Sequence, residues 1–280
     1  MPKTTSVKSR YQLPVAAASG LLLTLAFPKP GQPNLAFLAL VPLLLTLRNA
    51  SFSRGVKLGF VTGWVHFVTL VYWVAYTMKI YGHLPLYLSI PLLVLLAAYL
   101  ALYPALFAGL TTLVKRPVWL LPGIPVFWTA AEYLRSILFT GFPWELLGYS
   151  QYRSLAYIQI VDIAGVYGIS FWLALINAGV LLATLGFGRR HWQGRPVPKK
   201  SIAAAGLVVL AVSASLWGYG RVRINAIDRE ARQAPSKKIA VLQGNIDQNK
   251  KWDRRFQRTT LEVYNALARQ TAAEKPDLIV

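Results

Sequence analysis

The chain has 280 residues, 55% hydrophobic and only 14% charged, with a net charge of +20 and a positive mean hydropathy. That is too apolar for one water-soluble domain of this size and assigns the chain to a bilayer. It has no cysteine, which excludes disulfides, thiolate metal sites and a cysteine nucleophile among these residues.

Apolar runs follow in order at Leu13 to Phe27, Leu35 to Leu47, Leu58 to Tyr76, Leu84 to Val114, Val118 to Leu138, Ile158 to Phe187 and Ile202 to Tyr219. A hydrocarbon core of about 30 Å takes about 20 helical residues. On that measure the first two runs are short and the fourth is long. The first pair is expected to form a tilted or re-entrant hairpin around Pro28, Pro30 and Pro33, and this leaves the parity of the crossings unchanged. Lys3, Lys8 and Arg10 before an apolar run imitate a signal peptide, but Phe27-Pro28-Lys29-Pro30 offers no cleavage site, so the segment reads as an uncleaved membrane element. Gly55, Gly59 and Gly63 recur every fourth residue, which places them on one helical face and predicts close helix packing. Pro91 and Pro104 predict a kink in the fourth run.

The charges are distributed unevenly. Of the ten acids only Glu132, Glu145 and Asp162 precede residue 220, and thirteen of the thirty bases follow it. The other seventeen bases fall mostly between apolar runs. Alternate gaps hold thirteen on one side, whereas the opposite gaps hold Lys29, Lys79 and Arg153, with Arg135 near a helix end. The positive-inside rule then puts the amino terminus in the cytoplasm and the segment after Tyr219 outside, which in a Gram-negative cell is the periplasm. No basic face with interleaved aromatics lies outside those loops, so nucleic acid is not an expected partner.

After a polar linker, 221–236, the pattern changes. Ile239 to Leu242 reads as a strand covered on both faces. Gly244-Asn245 supplies a turn, a helix runs on from Asp253 until Pro276, and Leu278-Ile279-Val280 begins a second strand. This is a β-α-β unit with a parallel pair. Two strands alone make no stable core.

Acids at membrane depth are the first place to look for chemistry. Glu132 and Arg135, three apart on one helix, can neutralise each other and anchor the outer end of the fifth helix or hold a lipid headgroup. Gly141-Phe142-Pro143-Trp144 forces a turn at headgroup level, as a belt anchor or as the floor of a lipid cleft. Asp162 suits a helix start. Gln243 and Asn245 end the first tail strand, where α/β folds often place functional loops, and Trp252 beside Lys250 and Lys251 is an interfacial anchor or a substrate contact. His66, His83 and His191 have no second ligand at metal spacing. Gly186-Phe187-Gly188 lacks the strand and third glycine of a nucleotide fingerprint, so no metal or cofactor is expected. A transporter using Glu132, Arg135 and Asp162 as a polar path is disfavoured, because so few charged residues, all near one face, make a poor pathway.

"LLAAYLALYPALFAGL" (95–110), "EYLRSILFTGFPWELLGYSQ" (132–151) and "VLQGNIDQNKKWD" (241–253) together resemble the apolipoprotein N-acyltransferase family. The resemblance implies a bacterial inner-membrane bundle of about seven membrane segments (1–220), the linker 221–236, and at 237–280 the first β-α-β of a nitrilase-like α/β sandwich, incomplete here. It also implies a Glu-Lys-Cys triad. The Cys takes an acyl chain from a phospholipid as a thioester and passes it to the α-amino group of an apolipoprotein's diacylglyceryl-cysteine. The family's Glu stands in a Trp-Pro-Glu motif just after the strand that "DLIV" begins, with Lys and Cys later, so none of the triad is expected within these residues. The chain then reads as an amino-terminal half, inactive alone or paired with a companion chain that carries the triad. By the same resemblance Trp252 is a substrate-access residue, Gly141, Pro143 and Trp144 border the lipid cleft, and Glu132 and Arg135 support it. Gln243 and Asn245 complete the expected substrate-binding set.

Overall fold

The computed structural model describes residues 7, 9–251 and 253–280. Each apolar run forms helix. The first gives α1 (Ser9–Leu25). The second gives a 3₁₀ turn, Pro33–Phe37, and the short α2 (Val41–Thr46). Irregular backbone amid apolar helices needs internal hydrogen-bond partners, and two buried side chains provide them. Asn177 accepts from Leu40 N at 3.0 Å and donates to Ala36 O at 2.9 Å, while the Ser19 hydroxyl donates to Ala39 O.

The third run is broken in two. Ser51 caps α3 (Phe52–Leu70) by accepting from Arg54 N, and α4 (Trp73–Ile80) continues at 47° to it. Neither Gly nor Pro marks the break. Thr69 lies just before it and turns its hydroxyl back on Val65 O and His66 O, a bond that competes with the helix ladder and bends helices. The fourth run is α5 (Leu86–Leu113), one helix through both Pro91 and Pro104. The three glycines of α3 face it. A Cβ on Gly59 would lie 2.4 Å from Pro104 O, and one on Gly63 would lie 2.9 Å from Ala101 Cα. The expected close packing is therefore the α3–α5 contact.

The remaining bundle comprises α6 (Leu120–Ile137), the single turn α7 (Leu155–Ile158), α8 (Val161–Phe187) and the 35-residue α9 (Lys199–Gln233). Gly165, at φ +59°, interrupts α8 one turn after its start. Asp162 sits in that first turn as expected, and there it also accepts from Tyr219 at 2.7 Å and pairs with Arg223 of α9 at 3.3 Å. By length and composition α5, α8 and α9 can each cross a membrane, and α3 with α4 makes a fourth if counted as one bent span. The other runs form shorter or less apolar helices.

Between α8 and α9 lies a hairpin, β1 (His191–Trp192) against β2 (Arg195–Pro196), antiparallel. Trp192 is fully buried and donates to Val114 O at 2.7 Å, Gln193 reaches Ala50 O and Thr112 O, and Gly194 N donates to Asn49. The basic gaps 48–57, 112–116 and 189–200 thus meet at one end of the bundle, and Arg54 ties α1 to it through Gln12. Pro33, Lys29, Tyr72, Phe142 and Gln151 meet at the other.

The tail forms β3 (Ile239–Ala240), α10 (Gln248–Lys251), α11 (Gln257–Ala272) and β4 (Leu278–Ile279), with β3 and β4 parallel as expected. Asp253 caps the 3₁₀ turn that leads into α11, accepting from Arg255 N at 2.9 Å. The strands are not covered on both faces. Ile239, Val241, Leu278 and Ile279 are all exposed, because among the described residues the pair has only the short α10, a 3₁₀ turn and α11 beside it.

Candidate functional site

The polar residues of the bundle gather where α6 ends. Glu132 and Arg135 are buried, at 4% and 3% exposure, although Glu132 belongs to one of only three acids in the first 220 residues. They do not meet in a direct ion pair. Glu132 Oε1 accepts from Trp128 Nε1 at 3.1 Å and from Leu147 N at 2.7 Å. Arg135 Nη1 donates to Phe142 O at 3.0 Å and Trp144 O at 2.8 Å, and its guanidinium lies 5.1 Å over the Phe67 ring. The expected contact between the two is replaced by contacts from each to the loop 138–147, so they neutralise each other only through space.

That loop has an unusual backbone. Phe139, Thr140 and Glu145 have φ of 50°, 72° and 47°, in the left-handed region, and Gly141 lies between them at 78°. Only glycine fits at 141, because a Cβ there would stand 2.0 Å from Ser136 O. Pro143 and Trp144 face outward, and the Trp144 ring lies 5.2 Å from that of Trp73 on α4.

Two hollows adjoin the loop. Beneath it His66, Tyr103, Trp128, Glu132, Arg135 and Glu145 line a cavity of about 20 Å³, room for about one water molecule. Outside it Lys29, Tyr72, Trp73, Trp144 and Glu145, with Pro28 and Pro30, line an open cleft of about 270 Å³. Lys29 donates to the Tyr72 hydroxyl and stands 4.7 Å over that ring. Glu145 borders both hollows with one carboxylate oxygen that no donor reaches. Burial holds its carboxyl above the usual glutamate range, and the Arg135 charge acts against that.

Of the expected site residues, the structure brings Gly141, Pro143, Trp144, Glu132 and Arg135 together. Gln243 and Asn245 lie in the tail unit and do not line the cleft. Gln243 donates to Asn245 at 2.7 Å, and Asn245 takes φ 48° in the turn. Trp252 lies outside the described residues. Sequence reasoning missed His66, Lys29, Tyr72 and Trp73. Lys29 carried a signal, since it is one of few bases on the sparsely charged side. His66 and Trp73 carried none, being single polar or aromatic positions in an apolar run.

A bundle of long apolar helices with a buried polar cluster at one end, carrying a small α/β unit beyond its last helix, is a helical membrane protein. Residues 19–179 match the family model for the apolipoprotein N-acyltransferase N-terminal domain. The apolipoprotein N-acyltransferase of Geobacter metallireducens is 42% identical over 282 residues, a match that covers 100% of this chain and 52% of that protein. Those of Pasteurella multocida and Haemophilus influenzae are 32% and 33% identical over 95% of this chain, covering 49% and 48% of theirs. The chain belongs to the apolipoprotein N-acyltransferase family, and it spans about half the length of the curated relatives it matches.

Proposed function

We propose that this chain is the membrane part of an N-acyltransferase of the bacterial inner membrane. Its seven apolar runs all lie in the bilayer, with the amino terminus cytoplasmic. The linker 221–236 then delivers residues 237–280, the start of a nitrilase-like domain, to the periplasm. The segregation of basic loops to the end opposite the cleft supports this orientation. The cleft accepts a phospholipid acyl donor, its phosphate beside the Lys29 ammonium and its glycerol between the aromatic rings at headgroup level.

In the family's chemistry a thiolate attacks the donor's ester carbonyl, a lysophospholipid leaves, and a thioester forms. The α-amino group of the apolipoprotein's diacylglyceryl-cysteine then attacks the thioester, forming an amide and freeing the thiolate. These 280 residues hold no cysteine, so the nucleophile, with the Glu and Lys that serve it, comes from sequence beyond them. The chain alone is inactive in this reading. The observation that carries the reading is the cleft itself: one cation, two tryptophans and a buried polar floor within the matched region. Complementation tests it. Cells depleted of their own N-acyltransferase stay arrested with this chain alone and recover when it is joined to the second half of the Geobacter relative; growth with the chain alone refutes it.

A second reading is a non-catalytic, lipid-binding membrane subunit that pairs with a companion chain. The exposed faces of β3 and β4 favour it, since a two-stranded sheet needs further layers. Co-purification of a chain with Trp-Pro-Glu and a reactive cysteine distinguishes the two.

A further inference from the structure

The loop 138–147 holds a shape it would not keep by itself. Non-glycine residues in the left-handed region cost about 1–3 kcal/mol each and persist only where the surroundings impose them, and Phe139, Thr140 and Glu145 are three within seven residues. The imposing groups are Arg135 and Glu132. Arg135, two residues before the end of α6, donates to two loop carbonyls, and its own carbonyl accepts from Phe142 N at 2.8 Å. Glu132, one turn earlier, takes the amide of Leu147 where the loop ends. Hydrogen bonds to charged groups are among the strongest a fold makes; here Arg135 spends both of its side-chain bonds on the loop, and Glu132 divides its own between the loop and Trp128 of its own helix.

The result of this clamp is the placement of Trp144 against Trp73, which forms one wall of the cleft. Neither Glu132 nor Arg135 lines that cleft; both line only the small cavity below it. We infer that Glu132 and Arg135 are positioning residues, which hold the 138–147 loop in a strained form so that Trp144 fixes the width of the cleft and thereby which headgroup enters. The inference rests on the reading of the cleft as a phospholipid site.

The native absence of cysteine makes a clean test available. Spin labels on Pro143→Cys and Tyr76→Cys, both exposed positions, report the distance across the cleft mouth in the full chain in dodecyl maltoside. The parent gives one narrow distribution. Arg135→Gln broadens or displaces it, and Arg135→Lys, which keeps a charged donor, restores it. The neutral pair Glu132→Gln/Arg135→Gln leaves neither of the two helix charges buried without the other and behaves as Arg135→Gln does, so the test survives if the single variant fails to fold. A parent-like distribution in a folded Arg135→Gln or in the neutral pair overturns the inference. Adding dihexanoylphosphatidylcholine separates this from the reading beneath it. A shift in the parent that is lost in Arg135→Gln supports both. If the lipid moves nothing in the parent while Arg135→Gln still broadens, the lipid reading falls and the clamp stands.

Discussion

Gly59→Ala is the sharpest test of how the bundle is held together. The added methyl would sit 2.4 Å from Pro104 O, 2.6 Å from Ala108 Cβ and 2.9 Å from Ala105 Cα. Two of those three atoms are backbone and cannot rotate away, so α3 and α5 must separate. That movement also loosens Gly55 against Thr112 and Gly63 against Ala101. Overpacking of this kind costs about 1–3 kcal/mol, and alanine returns about 1 kcal/mol of helix propensity over glycine. The expected net loss is about 0–2 kcal/mol. Gly206→Ala is the internal control: no atom lies within 4 Å of a Cβ there, so only the propensity gain of about 1 kcal/mol remains. Unfolding of both variants by SDS in mixed micelles, followed by far-UV circular dichroism, should separate them by about 1–3 kcal/mol, because the propensity gain is common to both and the overpacking cost alone remains. If Gly59→Ala proves as stable as Gly206→Ala, the helices do not approach as described and the reasoning fails.

Asn177→Leu removes the partners of Ala36 O and Leu40 N at the broken second segment. Two buried backbone groups left unsatisfied cost about 1–3 kcal/mol each, so the same SDS assay should show a loss of about 2–6 kcal/mol, and a loss below 1 kcal/mol would argue that water reaches this segment. In the tail, Asp277 accepts from Lys238 N and Lys237 Nζ, both at 2.9 Å, and these bonds hold its carboxyl below the ordinary value of 3.8. A depressed carboxylate stabilises pairing above its unfolded value and loses that contribution as pH falls through the folded one. Amide protection at Lys238 and Ala240, corrected for intrinsic exchange, should therefore decline in acid below pH 3.8. Asp277→Asn should be less protected at neutral pH and show no such decline; an unchanged acid profile would refute the role.

Much of the architecture was written in the pattern of residues. The apolar runs become helices, the glycine triplet becomes the α3–α5 contact, and the Asp253 to Pro276 signals bound α11. Glu132 and Arg135 stood out because charge is scarce in such runs. What they touch did not, since their partners are backbone atoms of a loop whose shape depends on the whole helix end. The break after Leu70 was equally hidden, because it is made by Thr69 back-bonding and not by a helix-breaking residue type. In the sequence Trp192 is a single aromatic within a basic loop. Only the end of α5 and the α2–α3 loop, converging on its hairpin, make that tryptophan a core residue.

The hairpin at 191–196, anchored by its buried Trp192, dictates where this polypeptide tolerates being cut. Severing it, or inserting a tag there, would pull an indole out of the interior and release three helix ends at once. The last part of α9, by contrast, runs from Arg221 to Gln233 with almost every side chain in the open. A split made there would leave the membrane part whole, which makes it the natural junction for reconstituting this protein from two separately expressed pieces.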